Sequence, residues 1–435
     1  MSLSLLGLIL GLVLLIVLTI RGMNLMVAGP LCALIVALTS GLPIFSSDIE
    51  NSPNLLNSYM SGFASFVQAW FMMFLLGSVF GKLMEDSGSA DSVSKWIVGK
   101  LGMKHAVLAV VIACAVLTYG GVSLFVVAFS VYPMALSLFK EANLPRRFIP
   151  ATLAFGSVTF TMTSAGSPEV QNWIPIKYLG TTPYAAWEVS LVVAVFMALF
   201  GYWWLRRMIN KALDKGETFH EREGDPKQPE KNLSSPLLSL IPLVLVLISS
   251  FVLHDYFKQY ALMIALLIGV LSCWLINHRY IENLGAAINY GTTGALIAIG
   301  NTSAVVGFGA VAKVTPAFLI AVEFMTNLPG NELIGAAVAI SVIAGMTGSA
   351  SGGQAIALPI LGPHYIDAGV EPEQLHRVVA ISSGALDSLP HNGYVVTTIR
   401  AICGETHKDA YGPMGALTVI VPILGVILAI ALFLL

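Results

Sequence analysis

The chain is poor in charge, and much of what it has sits in one short segment. Of 46 Asp, Glu, Lys and Arg residues in 435, thirteen fall between Arg206 and Lys231, leaving 33 for the other 409. A soluble domain carries about a quarter charged residues, and so sparse a supply cannot clothe a surface that faces water. Soluble enzymes and secreted disulfide scaffolds are excluded on this ground. Nucleic-acid binders are excluded too, because a net charge of −2 offers no basic field. What remains is an all-α polytopic membrane protein with the lipid bilayer as its solvent, since a helix satisfies its own backbone in hydrocarbon.

Runs of about 20 apolar residues, the length that spans hydrocarbon, occupy 3–20, 23–41, 60–81, 184–205, 236–254, 260–276, 284–304 and 412–434. The first run has no basic residue before it and Arg21 after it, the order of a retained first helix rather than a signal peptide. The four cysteines (Cys32, Cys114, Cys273, Cys403) are widely separated and lack redox or metal-ligand spacing, so they read as small buried hydrophobes. No metal and no cofactor is expected. Gly77 to Lys82 resembles a phosphate-binding loop but is a residue short and is followed by Leu83.

Two regions resist division into simple spans. His105 to Phe139 would make a helix of about 52 Å, yet it holds Thr118-Tyr119-Gly120-Gly121-Val122-Ser123 at its middle and basic residues at both ends (Lys104; Lys140, Arg146, Arg147). That pattern predicts a re-entrant hairpin over 105–139 with both ends on the cytoplasmic face. The next segment, 148–179, reads as a spanning helix broken at Thr163-Ser164-Ala165-Gly166-Ser167-Pro168-Glu169. The second half shows the same order: a hairpin over 333–365 with its tip at 347–353, then a helix over 374–402 broken at Asp387-Ser388-Leu389-Pro390-His391-Asn392-Gly393. Pro133 and Pro359 follow the two tips at an offset of 226.

Five crossings per half, an odd number, require the halves to be inverted: a first repeat over 1–209, a cytoplasmic linker over 210–234 and a second repeat over 235–435. Both termini are then outside. With that orientation 18 of 22 Lys and Arg fall inside, only Lys177, Lys258, Lys313 and Arg377 falling outside, as the positive-inside rule requires. Inverted repeats with discontinuous helices point to a secondary transporter whose site lies where the breaks meet.

The expected site follows from what an anion needs when it leaves water, namely hydrogen-bond donors and helix N-termini. Tyr119, Gly120, Gly121 and Ser123 at the first tip, and Ser349, Ser351, Gly352 and Gly353 at the second, offer hydroxyls and close backbone approach. Thr163, Ser164, Gln171 and Asn172 from the first break, with Ser388, His391 and Asn392 from the second, add donors able to read a substrate hydroxyl. Ionisable groups at membrane depth are expensive and usually functional. Asp387, His391 and Glu169 are therefore the candidates for carrying a coupling ion, histidine because it changes charge near neutral pH and a carboxyl group because desolvation brings it there. Gly307 and Gly309 read as helix-packing positions, and Arg377 and Arg400 as interfacial anchors, with contact to an anion in one state as the alternative for either.

At these breaks the sequence resembles the gluconate:proton symporter (GntP-type) family of bacterial permeases, within the broad ion-transporter superfamily. The likeness is carried by Gly166-Ser167-Pro168-Glu169-Val170-Gln171-Asn172, Gly180-Thr181-Thr182-Pro183-Tyr184 and Asp387-Ser388-Leu389-Pro390-His391-Asn392-Gly393. Where gluconate permeases usually have a Pro-Pro-His-Pro run, this chain has Gly-Ser-Pro-Glu, more like the 3-hydroxybutyrate permease branch. The resemblance implies proton-coupled uptake of a small hydroxy-carboxylate across the bacterial inner membrane, by a homodimer moving a transport domain against a scaffold. Sodium coupling, an anion channel and a membrane-embedded hydrolase using His391 and Asp387 are the rival expectations.

Overall fold

A computed structural model describes residues 3–45, 53–102, 105–222, 234–326 and 328–435. It is helical, with no strand among the described residues. The first half contains α1 (Leu3–Ile20), α2 (Leu25–Thr39), α3 (Leu55–Asp86), α4 (Ser89–Leu101), α5 (Ala106–Tyr119), α6 (Leu124–Glu141), α7 (Ile149–Ala154), α8 (Ile174–Leu179) and α9 (Trp187–Leu213). The second contains α10 (Pro236–Phe257), α11 (Ala261–Asn277), α12 (Leu284–Lys313), α13 (Pro316–Thr326), α14 (Glu332–Thr347) and α15 (Ala350–Asp367), followed by α16 (Pro372–Leu386), α17 (Gly393–Val396), α18 (His407–Gly415) and α19 (Val421–Phe433). Among the described residues, seven helices or helix runs are long and apolar enough to cross a membrane. This is an all-α, multi-pass membrane protein.

The spans expected at 60–81 and 284–304 are longer than their apolar cores. At 32 and 30 residues, α3 and α12 reach about 48 and 45 Å. They run past the apolar window because they pack along each other, and each supplies the other with a wall. Gly62 and Gly307 make the close approach possible: a Cβ on Gly62 would sit 2.4 Å from Ala310, and one on Gly307 would sit 2.9 Å from the Tyr59 ring. The Tyr59 hydroxyl donates to the Ala304 carbonyl at 2.9 Å, fixing the crossing.

Two bodies emerge from the packing. In one, α3 and α12 pack together with α1, α2, α10 and α11; in the other, α5 to α9 pack with α14 to α19. The short helices α4 and α13 link them, α4 touching α10 and α5, and α13 touching α1 and α14. The second body holds both hairpins and both interrupted helices. α5 and α6 are joined by a turn at Gly120–Ser123, and α14 and α15 by one at Gly348–Ser349. Gly121 (φ +89) and Gly348 (φ +56) adopt the left-handed backbone these turns need.

The interruptions have a local cause. Pro168 and Pro390 lack an N–H and push the preceding residue out of the helical region. After α7 a π-helical turn over Phe155–Thr159 opens into irregular backbone that becomes helical again only at Val170–Asn172. After α16 the chain is irregular until Asn392, whose side chain caps the next segment by accepting from Val395 N at 2.9 Å. Its amide also donates to the Gly348 carbonyl at 2.9 Å, tying the second break to the second tip.

The freed carbonyls of the first break meet a buried guanidinium. Arg377, on α16, is 0% exposed. It donates to the carbonyls of Ala185 (2.9 and 3.0 Å), Thr163 (2.6 Å) and Pro183 (3.4 Å), and to Asn172 Oδ1 (3.0 Å). This overturns its expected place as an outward-facing interfacial anchor. Sequence position put it near a helix end; the unwound first break then folded over it, supplying acceptors that only irregular backbone can offer.

The linker is also less free than its composition implied. α9 continues to Leu213, and the chain up to Arg222 docks on the second body. Glu217 forms a two-bond pair with Arg147 (2.6 and 2.8 Å), and Arg146 donates to the His220 carbonyl at 3.2 Å. Glu405 accepts from both Arg146 (3.0 Å) and Arg222 (3.1 Å). The remainder, 223–233, lies outside the described residues.

Two outcomes follow from these contacts. Arg377→Met removes the guanidinium donor from the Thr163 and Ala185 carbonyls and Asn172 Oδ1, which costs about 3 kcal/mol or more and lowers the thermal midpoint of the detergent-purified protein. Arg377→Lys recovers only part, since an ammonium cannot span that fork of acceptors. A midpoint equal to that of the unsubstituted protein in both would show the guanidinium to be dispensable. The Arg147 hydrogen bonds hold the Glu217 carboxyl below the ordinary glutamate range. Its stabilisation is therefore present above the unfolded glutamate pKa of about 4.3 and is lost as pH falls through the lower folded value. Amide-exchange protection of 214–222, corrected for intrinsic rates, should drop on that acid limb and hold between pH 6 and 8.

Candidate functional site

Between the two bodies lies a cavity of about 580 Å³. The second body contributes Gly121 and Ser123 from the first tip and Glu169 and Gln171 from the first break. It also contributes Gly348, Ser349 and Ser351 from the second tip, and Asp387, Ser388 and Asn392 from the second break. The facing wall comes from α3 (Ser78, Lys82, Glu85) and α12 (Tyr290, Asn301, Thr302), with the α1–α2 turn (Gly22–Leu25) at the rim. All four interruptions of regular helix thus open onto one space.

Not every expected residue faces it. The Tyr119 hydroxyl donates to the Ala165 carbonyl, bracing the first break from behind. Gly120 is packed against Leu243 of α10, and Gly353 against Ala344 of α14. Thr163 and Asn172 are held by Arg377, and the Ser164 hydroxyl turns back to the Phe160 carbonyl. Gly352 donates its N–H to the Ser349 hydroxyl as the cap of α15. His391 is 2% exposed and lies behind the second tip, with Gly348 so close that a Cβ there would be 2.7 Å from its ring. Gly307 and Gly309 serve packing: a Cβ on Gly309 would overlap Ile356.

The electrostatics of the wall come from backbone and from a few side chains. The N-terminal turns of α6 and α15, each 18 residues long, border the cavity, and their first N–H groups have no partner within the helix. The segment Gly393–Ile402 begins there as well. Such ends carry partial positive charge and favour an anion. Against them stand three carboxyl groups, Glu85, Glu169 and Asp387. Asp387 is 5% exposed and accepts from the Ser388 hydroxyl at 3.0 Å. Neither it nor Glu169 has a lysine or arginine within ion-pair distance among the described residues. No group of three or more His, Cys, Asp or Glu among the described residues could hold a metal ion.

Three residues of this region escaped sequence reasoning. Gln354, fully buried on α15, donates to the Gln171 carbonyl (3.0 Å) and the Ser383 hydroxyl (2.9 Å), fastening the first break to the second hairpin. Its signal was an amide in the middle of an apolar run. Lys82 and Glu85 line the cavity from α3. Their signal was charge just beyond the apolar window of 60–81, which looked like the ordinary cytoplasmic end of a span.

Comparison with known proteins places the chain. The model of the GntP family permease matches residues 3–269. Over 451 aligned residues the chain is 35% identical to the uncharacterized transporter YxjC of Bacillus subtilis (strain 168), covering 92% of each. It is 30% identical over 156 residues to the high-affinity gluconate transporter of Escherichia coli (strain K12), which is 35% of this chain and 33% of that one. Among solved structures, the Alcanivorax borkumensis YdaH transporter has a similar fold, with a TM-score of 0.53 at 14% identity over 99% of this chain and 97% of the other. The resemblance read at the helix breaks is thereby extended to most of the chain: the protein is a transporter and belongs to the GntP permease family.

Proposed function

We propose that this permease is a proton-coupled symporter that brings a small hydroxy-monocarboxylate, of the gluconate or 3-hydroxybutyrate kind, across the bacterial inner membrane. The observation that carries the reading is the convergence of both tips and both breaks on one cavity holding two carboxyl groups without cationic partners. Helix N-termini and the side chains of Ser123, Ser349, Ser351, Gln171 and Asn392 supply donors for a carboxylate and its hydroxyl. One relative in the family is a gluconate transporter, which agrees with an organic acid as cargo.

In this reading Asp387 and Glu169 carry the proton and His391 supports the tip from behind. A carboxyl group that binds a proton together with an anion lets both cross without leaving a net charge in the low-dielectric cavity. The body of α5–α9 and α14–α19 moves against the body of α1–α3 and α10–α12, the halves being inverted in the membrane, with both termini outside. A homodimer would anchor the stationary body. The hydroxyl and carbonyl oxygens near Asp387 would also suit a hard cation, so the test separates protons from sodium.

Reconstituted in liposomes, the protein should accumulate labelled gluconate or 3-hydroxybutyrate under an inward proton gradient, and a protonophore should abolish the accumulation. Dependence on a sodium gradient alone would replace the proton in this scheme, and dependence on neither would end it. Asp387→Asn, which cannot ionise, should lose gradient-driven accumulation by about two orders of magnitude while retaining exchange of internal for external substrate. Loss of exchange to the same degree would place Asp387 in substrate binding instead. Glu169→Gln, measured alongside, assigns the second carboxyl group by the same pair of readouts.

A further inference from the structure

We propose that Lys82 of α3 is the residue that selects for a carboxylate, receiving the anionic end of the cargo from the wall opposite the tips and breaks. The inference rests on the transport reading above and concerns a residue outside the motifs that carry the family likeness.

The cavity wall holds three carboxyl groups, Glu85, Glu169 and Asp387, and a single basic side chain among its described residues, that of Lys82. A wall so rich in acid repels an anion whenever those groups are ionised. The Lys82 ammonium is the one full positive charge that offsets this. It lines the cavity from the α3 face, so an anion held by the tips and breaks can be met by the ammonium from the opposite wall.

Its present partners do not commit it elsewhere. The ammonium is 3.0 Å from Glu85 Oε1 and 2.9 Å from Asp86 Oδ1, one turn further along its own helix. The three side chains are 23%, 36% and 29% exposed. Ion pairs this wet contribute little, typically under about 1 kcal/mol, so a substrate carboxylate can displace one partner at small cost. The Tyr290 ring, 5.7 Å from the ammonium, holds the charge over the cavity side of α12 without satisfying any of its N–H bonds. A purely local helix-end pairing would need neither the ring nor a place in the cavity wall. Glu85 lines the same cavity, so it acts as the competitor that the incoming anion replaces.

The test measures uptake of labelled gluconate and 3-hydroxybutyrate by the full chain in proteoliposomes, with 3-hydroxybutyrate and its uncharged methyl ester as inhibitors. Lys82→Met should raise KM about tenfold, the worth of one charge-assisted contact, and leave the maximal rate within a factor of about two. It should also erase the preference for the acid over the ester. Lys82→Arg should restore both, and Glu85→Gln should lower KM by freeing the ammonium. An unchanged KM and acid preference in Lys82→Met, with normal uptake by the unsubstituted protein, overturns the role of Lys82 and leaves the transport reading intact. A KM raised equally for Lys82→Met and Lys82→Arg assigns Lys82 to helix packing, which also overturns it. An unsubstituted protein that takes up neither compound overturns both.

Discussion

A buried guanidinium organises the second body of this transporter. Taking an arginine out of water demands that its donors be met by well-placed acceptors, and continuous helices have none to spare, since their carbonyls are engaged within the helix. The first break, the short turn after it and the loop between α8 and α9 supply them. Arg377 on α16 is satisfied by backbone oxygens at residues 163, 183 and 185 and by the side chain of Asn172. The dependence is mutual: without the break the charge is unsatisfied, and without the charge the unwound carbonyls face one another in an apolar interior. Because Arg377 sits on the helix that leads into the second break, the same contact ties the first break to that helix.

Around that clamp the remaining links are short and local. Gln354 fastens the first break to the second hairpin, and Asn392 fastens the second break to its tip. At the far end Glu405 gathers Arg146 and Arg222, so the chain leaving α9 is held to the same body. These contacts unite the interrupted elements as one unit, which packs α15 against α12 and α6 against α3 and faces them elsewhere across the cavity. Among the described residues the hydrogen bonds that tie these elements together lie within this body.

The cavity itself combines opposed electrostatic devices. Helix N-termini from α6 and α15 draw an anion in, and three carboxyl groups resist it unless protons or a lysine offset them. In the proposed symport, charge balance would couple the binding of an acid to that of a cation.

Much of this was legible in the residues. The scarcity of charge outside 206–231 announced a membrane protein, the clusters at 120–123, 163–169 and 387–393 marked irregular backbone, and the family resemblance rested on 166–172, 180–184 and 387–393. Glu169, Asp387, Ser349 and Asn392 could be named because polar groups in apolar runs are costly and hence conspicuous. Other features could not be read. α3 and α12 outgrow their apolar windows because each lies along the other. His391 and Lys82 are alike ionisable residues, and only packing puts one behind a turn and the other in the cavity wall. Sequence by itself determined the helical membrane class and the places where helices break, because hydrophobic length, proline and glycine act locally. The tertiary structure alone decided which broken end meets which buried charge, because the acceptors Arg377 uses are backbone carbonyls that no side chain records.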